Sequence, residues 1–410
     1  FCHDIIIKCL KCGEWNTNFN TSDGSSTATH KLKEVNVRMV AFVRSIGRGH
    51  SALQNFSMYL NSSQPMTRKT YSRTLHRIHS ASKDIAMESM NAAAKEVREL
   101  KTSGMVNDTP TESNAADCTV SLDGSWQHRG HASHHGVVTA ISVDTQKCVD
   151  AEVLTNICKW CQHWEAKKES VGYEKWKLTH ICKINHTGSA EAVGAVRIFS
   201  WSEQMRKLRY KQYLGEGDSA SFKKVLETKP YGNLEVEKLE CVGHIQKRCG
   251  TRLRKLKNEN KRLKLDDRKG LGGIGRLTDK KIDTLQNYYG FAIRQNPGNL
   301  DKMLCDIMAV LPHVGSTDVN PNHGGCPNDS WCKYKLNPEK YRHGLPQAVM
   351  DFIQPVFTDL ANEDLLRKCL HGKTQNSNET LNKLVWQRCS KEVYVERETI
   401  EEAVFSAISF

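Results

Sequence analysis

Three acidic residues occupy positions where carboxylates could do chemistry. Asp123 (in Leu-Asp-Gly-Ser-Trp) and Asp218 (in Gly-Glu-Gly-Asp-Ser) each end a strand-like run before small residues, and Glu379 opens a helical pattern. Carboxylate oxygens are the ligands that Mg²⁺ prefers, and two such ions about 4 Å apart can promote phosphodiester chemistry. An Asp before a small residue is also a common turn residue. The residue types therefore leave two interpretations open, a metal-dependent active site and ordinary turns.

A second candidate site is a cluster of metal-ligand residues in a Trp-rich segment. The close pairs are Cys158, Cys161, His180 and Cys182. Two close pairs separated by a loop suit the tetrahedral nitrogen and sulfur coordination of structural zinc. His163 and His186 are spare ligands, and a Cys/Trp-rich apolar patch is the alternative. We expect a zinc ion here that stabilises an insertion and takes no part in catalysis.

Two further groups are weaker candidates for zinc. The first consists of His323, Cys326 and Cys332, completed by His343, although a Pro-containing turn that packs Trp331 explains it equally well. The second is Cys9-x-x-Cys12, with Cys2 and His3 nearby, which is half of a zinc ribbon at best.

The segment 244–264 carries nine Lys or Arg residues and one acid, Glu259. Leu253, Leu256 and Leu263 recur at helical spacing, so one face of a helix can pack while the cations face outward. Cations that meet phosphates release counterions and give sequence-independent, salt-dependent affinity; the alternative is a merely solvated face. The predicted DNA contacts are Lys247, Arg248, Arg252, Arg254, Lys255, Lys257 and Lys261.

Composition restricts the class of protein. The chain has 410 residues, a net charge of +13 and 15 cysteines, and its pI is near 9.0. The positive charge favours a polyanionic partner, nucleic acid before membrane, and no apolar run is long enough to span a bilayer. An odd cysteine count without an export signal favours thiols and metal ligands over disulfides. We therefore expect an intracellular, nuclear protein, and the ends at Phe1 and Phe410 are compatible with a fragment.

The elements that must position these residues follow from periodicity. Positions 31–103 are largely helical: Leu32, Val35, Met39, Phe42 and Ile46 lie on one side of a first segment, and Ala86, Met90, Ala93, Val97 and Leu100 follow helical spacing in a second. Short β-branched runs predict strands at 118–123, 136–143 and 148–154. A helix at 189–208, a strand up to 218, a helix at 219–228 and a strand at 234–241 follow. The rest is mainly helical, with loops at 313–346. This order predicts an α/β fold with a mixed sheet, in which ligands bind at strand ends.

Four ordered blocks resemble those of Mutator-like DDE transposases. They are LDGSW (122–126), YLGEGDS (213–219), CVGHIQKR (241–248) and TQNSNETLN (374–382). The resemblance runs from about residue 31 to the C-terminus and is closest to the animal branch that carries a CP…SWC block, here Cys326-Pro327 to Ser330-Trp331-Cys332. It implies an RNase H-like (retroviral-integrase type) core with Asp123, Asp218 and Glu379 as catalytic residues. It also implies that Cys241 and His244, the ends of a C-x-x-H motif, support the active site and do not form a metal site by themselves.

The resemblance implies a domain organisation. After a partial Cys-x-x-Cys segment and linker (1–30) come a helical N-terminal region (31–115) and an RNase H-like core (116–264) with a zinc-binding insertion at about 156–188. A mainly helical insertion (265–365) and a closing helix of the core with the catalytic Glu (366–410) complete it.

The function implied is metal-dependent cleavage at transposon ends and strand transfer into target DNA. Its cofactors are two Mg²⁺ or Mn²⁺ ions plus structural Zn²⁺. Its partners are double-stranded DNA, both terminal repeats and target, with a homo-oligomer assembled on the DNA and no membrane. A domesticated, catalytically inactive DNA-binding descendant remains the alternative. An RNase H-type nuclease shares the metal chemistry but leaves the long insertion unexplained.

Overall fold

The structure is a computed structural model that describes residues 4–9, 13–20, 33–103, 115–128, 133–216, 220–317, 320–326, 332–337, 344–391 and 395–409. The chain divides into two compact units. Unit 1 comprises 1–211, 220–235 and 376–410, and unit 2 comprises 212–219 and 236–375. No helix in the described ranges is both long and apolar enough to cross a membrane.

Unit 1 begins with an antiparallel hairpin of two strands, β1 (Asp4–Cys9) and β2 (Gly13–Asn20), in which Asp4 pairs with Asn20. The Ser/Thr/Asn/Gly-rich stretch 16–30 was predicted as a linker, but its first five residues belong to β2. Cys2, His3 and Cys12 lie outside the described residues, so the partial zinc ribbon stays a prediction.

Three helices follow the hairpin: α1 (Glu34–Ser45), α2 (His50–Tyr59) and α3 (Arg68–Ser103). In α1, Val40 and Val43 pack against Leu53, whereas Phe42 and Ile46, on the predicted apolar side, are about half exposed. In α3 the predicted spacing is confirmed for Ala86, Met90, Ala93 and Val97, which are all buried, whereas Leu100 is 53% exposed. The four buried residues mark the face of α3 that packs against the protein.

The five remaining strands form a mixed sheet in the order β5-β4-β3-β6-β7. The strands are β3 (Ala116–Trp126), β4 (His135–Ser142), β5 (Cys148–Thr155), β6 (Leu208–Gly215) and β7 (Glu237–Glu240). The β3–β4 and β4–β5 pairs are antiparallel and the β6–β7 pair is parallel. The predicted α/β fold and its order of strands and helices are confirmed.

Strands β3, β4 and β5, which belong to unit 1, are covered on both faces, and β4 is buried at every position for this reason. On one face lies α6 (Ala190–Arg206), whose Gly194 approaches so closely that an added Cβ would stand 2.6 Å from Val138. On the other face, α14 (Asn376–Arg388) and α15 (Arg397–Ile408) pack Val385 and Val404 against Val137. Asp123 lies on β3 of the sheet, and Glu379 lies on α14 in the layer that covers this second face.

Three shorter helices complete unit 1. Two of them, α4 (Lys159–Glu165) and α5 (Val171–Thr179), occupy the segment between β5 and α6, and α7 (Ala220–Thr228) packs on α6. The first two carry the predicted zinc ligands.

Unit 2 is mainly helical. Its helices are α8 (Val242–Glu259), α9 (Asp279–Arg294), α10 (Leu300–Gly315), α11 (Lys333–Leu336), α12 (Gln347–Leu360) and α13 (Glu363–Arg367). A single apolar core joins Leu253 of α8, Leu285 of α9, Ile307 of α10 and Phe357 of α12. The predicted loops from 313 onward begin too early, because α10 continues to Gly315.

A candidate acidic active site and two Cys/His clusters

Asp123 is a strand residue and not a turn residue. It lies inside β3 and pairs with Thr139 of β4, and Gly124 pairs with Val138. Successive strand residues point to opposite faces, so Asp123 faces the α14 layer while Gly124 faces α6. There an added Cβ on Gly124 would meet Glu191 at 2.7 Å. The glycine after Asp123 therefore reflects close helix packing, and the turn interpretation is wrong for this residue.

Three side chains of α14 contact three alternate residues of β3. Asn378 accepts from Ser121 Oγ (2.6 Å), Asn382 Nδ2 donates to Asp123 Oδ2 (2.7 Å), and Trp386 Nε1 donates to Ser125 Oγ (2.7 Å). Four helical residues rise about 6 Å and two strand residues about 6.6 Å, so the two spacings match over three contacts. This register fixes Glu379, one residue after Asn378, relative to Asp123.

Asn378 anchors that register. It is fully buried, and its Nδ2 also donates to Ser121 O (3.1 Å), Thr139 O (3.2 Å) and Thr139 Oγ1 (3.2 Å). A buried amide satisfied on both its atoms specifies one position of the helix along the sheet. Sequence reasoning missed this role, although the repeated Asn at 376, 378 and 382 of a polar helix start was a signal for it.

Asp123 and Glu379 line the same open cleft of unit 1. Asp123 is half-buried and Glu379, in the first turn of α14, is exposed. The wall also carries three cations, Arg48, Lys383 and Lys391. Carboxylates with a basic rim can combine hard-metal coordination with attraction of a polyanion. Asp218 lies outside the described residues, and β6, which precedes it, is the neighbour of β3 in the sheet.

The C-x-x-H motif lies at the start of α8. Cys241 is the N-cap residue and is buried, and its backbone N–H donates to Gly215 O (3.3 Å). His244 Nδ1 lies 3.2 Å from Glu216 Oε1. Among the described residues the C-x-x-H motif belongs to no cluster of three or more metal ligands. It contacts Gly215, the last residue of β6, and Glu216, which are three and two residues before Asp218. Support of the active site by Cys241 and His244 stays a prediction.

The predicted zinc ligands of unit 1 meet at one point. Cys158, Cys161, His180 and Cys182 place their ligand atoms within 4.8 Å of one another. His180 Nε2 lies 3.5 Å from Cys158 Sγ and 3.2 Å from Cys161 Sγ, and Cys161 Sγ lies 3.5 Å from Cys182 Sγ. Trp176 stacks on His180 with ring centroids 4.4 Å apart, which orients the imidazole. This cluster could bind zinc.

The second group forms a cluster with a different fourth member. His323, Cys326 and Cys332 meet His313 of α10, again with all ligand atoms within 4.8 Å. His343 lies outside the described residues. Burial lowers the pKa of His313 to about 4, so its imidazole is neutral at pH 7. Sequence reasoning missed His313 because it assigned position 313 to a loop start; the signal was a histidine ten residues before His323.

Five of the seven predicted DNA-contacting cations of unit 2 have carboxylate partners. Arg252 lies 3.7 Å from Asp359, Lys257 2.8 Å from Asp279, and Arg254 pairs with Asp283. Arg248 pairs with Glu240 (3.2 Å) and Lys255 with Glu259 (3.8 Å). Lys261 is exposed beyond the helix, as is Leu263, so the expected packing role of Leu263 is wrong. DNA contact by α8 stays a prediction.

Comparison with known proteins identifies the family of the chain. No curated protein matches the chain. A family model described as Mutator-like transposase matches residues 2–332. The match covers Asp123, Asp218, the C-x-x-H motif and both Cys/His clusters, and it ends before Glu379. The match begins before residue 31, where the resemblance was expected to start, and it extends over most of the 410 residues. The chain belongs to the Mutator-like transposase family.

Proposed function

We propose that this protein is a DDE transposase that cleaves DNA at transposon ends and transfers the freed 3′-hydroxyl to target DNA. The observation that carries the proposal is the shared cleft of Asp123 and Glu379. These residues come from distant parts of the chain, and a buried amide network holds their elements in one register. The family implies transposition and a DNA substrate.

The architecture supports the proposed RNase H-like core. The order β5-β4-β3-β6-β7 has an antiparallel meander on one side and a parallel pair on the other. In this proposal Asp123 lies on the central strand and Asp218 follows its neighbour. The segment 156–188 is the zinc-binding insertion, held by Zn²⁺ on Cys158, Cys161, His180 and Cys182, and 265–365 is the helical insertion.

The carboxylates fit a pair of hard divalent cations. Asp123, Asp218 and Glu379 would hold two Mg²⁺ or Mn²⁺ ions, which supply Lewis acidity for phosphodiester cleavage when bound. Asn382 donates to Oδ2 of Asp123 and thereby fixes the plane of the carboxylate without neutralising its charge. Glu379 is exposed at the other wall of the cleft and reaches the same space from α14. Arg48, Lys383 and Lys391 attract and orient the DNA backbone.

The partners in this proposal are terminal repeats and target DNA, bound by a homo-oligomer in the nucleus. Phosphate contacts by the cleft cations and by α8 supply affinity, whereas sequence preference requires base contacts.

The test compares two aspartates of one strand. Asp123→Asn should lower Mg²⁺-dependent cleavage of terminal-repeat DNA by more than about 100-fold, since even residues that only orient metal ligands contribute about 10–100-fold. DNA affinity should persist. The control is Asp117→Asn, also in β3, whose carboxylate pairs with Arg209 (2.7 Å) and does not line the cleft; it should keep wild-type activity.

Two results would contradict the proposal. Undiminished cleavage by Asp123→Asn would remove this residue from the active site. A wild-type chain that binds DNA but cleaves none with Mg²⁺ or Mn²⁺ would favour the alternative, an inactive transposase-derived DNA-binding protein.

A further inference from the structure

The side chains of His313, His323, Cys326 and Cys332 form a compact quartet in unit 2, which we call the buried quartet. All four residues are at least nine-tenths buried, and both cysteines are free thiols. His313 lies in the last turn of α10, His323 and Cys326 lie in the segment that follows, and Cys332 immediately precedes α11. Four polar side chains from three consecutive segments therefore converge in an apolar interior.

The distances within the buried quartet match a tetrahedron around zinc. The two Nδ1 atoms lie 3.0 Å apart. Cys326 Sγ lies 3.3 and 3.8 Å from the Nδ1 atoms of His313 and His323, and Cys332 Sγ lies 3.7 and 3.6 Å from them. Bonds of about 2.0–2.1 Å to nitrogen and 2.3 Å to sulfur give tetrahedral edges of about 3.3–3.4 Å between nitrogens and 3.5–3.6 Å between nitrogen and sulfur.

Hydrogen bonding alone does not account for these contacts. Two thiols supply two protons, and two Nδ1 atoms that face each other can share only one. At most three of the five short contacts can therefore be hydrogen bonds, and the rest bring lone pairs together in a buried place. A cation at the centre satisfies all four ligand atoms at once.

The charge also fits the burial. Zn²⁺ with two thiolates and two neutral imidazoles is a neutral complex, which can be buried without the large cost of an isolated charge. The cluster of Cys158, Cys161, His180 and Cys182 would carry one negative charge, and Cys182 is exposed. Aromatic rings fix both imidazoles of the buried quartet: Tyr334 stacks on His323 (4.1 Å) and Tyr288 meets His313 edge-on (5.2 Å).

We infer that the buried quartet is a second structural zinc site, with His313 and not His343 as the fourth ligand. The metal joins the end of α10 to the start of α11 within unit 2. The inference does not depend on transposase activity, because no catalytic residue is involved.

The experiment measures metal content and ligand type on the full-length protein. Wild type should contain two zinc ions per chain, and X-ray absorption should give a mean of about 2.5 sulfur ligands per zinc at about 2.3 Å. His313→Gln and Cys326→Ser should each hold one zinc with three sulfurs. The matched control is His343→Gln, which should keep two. Cys161→Ser should retain one zinc, now with two sulfurs and two nitrogens.

Several outcomes would overturn the inference. One zinc per wild-type chain with three sulfur ligands would leave the buried quartet without metal. Loss of one zinc in His343→Gln, with two retained in His313→Gln, would assign the fourth ligand to His343. The wild-type ligand count decides the existence of the site even where a variant fails to fold.

Discussion

The acidic cleft of unit 1 and the basic helix α8 of unit 2 hold their charged residues by different contacts. In the cleft, the neutral amide of Asn382 donates a hydrogen bond to Asp123 and orients its carboxylate. On α8, four cations meet carboxylates of other elements in their own unit, and Lys255 meets Glu259 of the same helix. A neutral group thus orients the carboxylate in the first region, whereas ion pairs within the protein hold the cations in the second.

This difference sets what each region is expected to do. An amide that holds one oxygen of a carboxylate orients the group for a ligand. Exposed ion pairs contribute only about 0–1 kcal/mol each, so phosphates can compete for the cations of α8 but must displace a partner to do so. We therefore expect the cleft to govern catalysis and α8 to make a graded, salt-sensitive contribution to binding.

Among changes in the cleft, the largest loss of stability is expected at its anchor. Asn378→Ala removes an amide that satisfies Ser121 and Thr139 in the interior, and each unsatisfied buried group costs about 1–3 kcal/mol. The free energy of unfolding in urea should fall by about 2–3 kcal/mol or more. Thr380→Ala, at an exposed position of the same helix, should change it by less than about 0.5 kcal/mol. Equal effects of the two variants would contradict the anchoring role.

Next comes the orientation of Asp123. Asn382→Ala removes the hydrogen bond to Oδ2 and should lower cleavage by about 10–100-fold, the usual effect of a partner that orients a metal ligand. The Mg²⁺ concentration for half-maximal rate should rise. Trp386→Phe removes the neighbouring bond to Ser125 without touching a carboxylate, so its Mg²⁺ dependence should stay unchanged. A shift of that dependence in Trp386→Phe alone would reverse the assignment.

Removing the carboxylates that pair with cations of α8 gives a test in which affinity for DNA should increase. Asp279→Asn with Asp283→Asn frees Lys257 and Arg254, so affinity for random DNA should rise and the slope of log affinity against log salt should steepen by up to about 0.9 per added phosphate contact. Asp301→Asn with Asp364→Asn makes the same change in net charge at other exposed positions and should not steepen it. Equal slopes for both pairs would mean that α8 is only a solvated face.

The smallest effect is expected at an exposed ion pair of α8, which we compare with a buried ion pair of unit 1. Arg254 and Asp283 are 40% and 56% exposed, so Arg254→Gln should lower the free energy of unfolding by no more than about 1 kcal/mol. Arg44 and Glu402 are each 6% exposed and 3.2 Å apart, and Arg44→Gln should cost about 3–5 kcal/mol because it leaves a buried charge unpaired. Comparable losses would show that the pairs of α8 are stronger than their exposure implies.

Local pattern was sufficient for the strands of the sheet that lie in unit 1. The β-branched runs at 118–123, 136–143 and 148–154 correspond to β3, β4 and β5, because alternation and short apolar runs are properties of neighbouring residues. The residues at 158, 161, 180 and 182 do lie close together, as two close pairs in the sequence predicted, and could hold a metal. The order of strands and helices likewise pointed to a mixed α/β sheet, and the ordered blocks to the family.

What the sequence by itself determined is therefore which residues can do chemistry and which elements carry them. Only the tertiary structure decided which of them meet. Val40 and not Phe42 packs against Leu53, and His313 joins His323. Asn378 fixes α14 on β3, and cations of α8 face carboxylates of α9 and α12. The physical reason is that periodicity depends on near neighbours, whereas these contacts depend on the faces that distant elements present to one another when they bury their apolar surface.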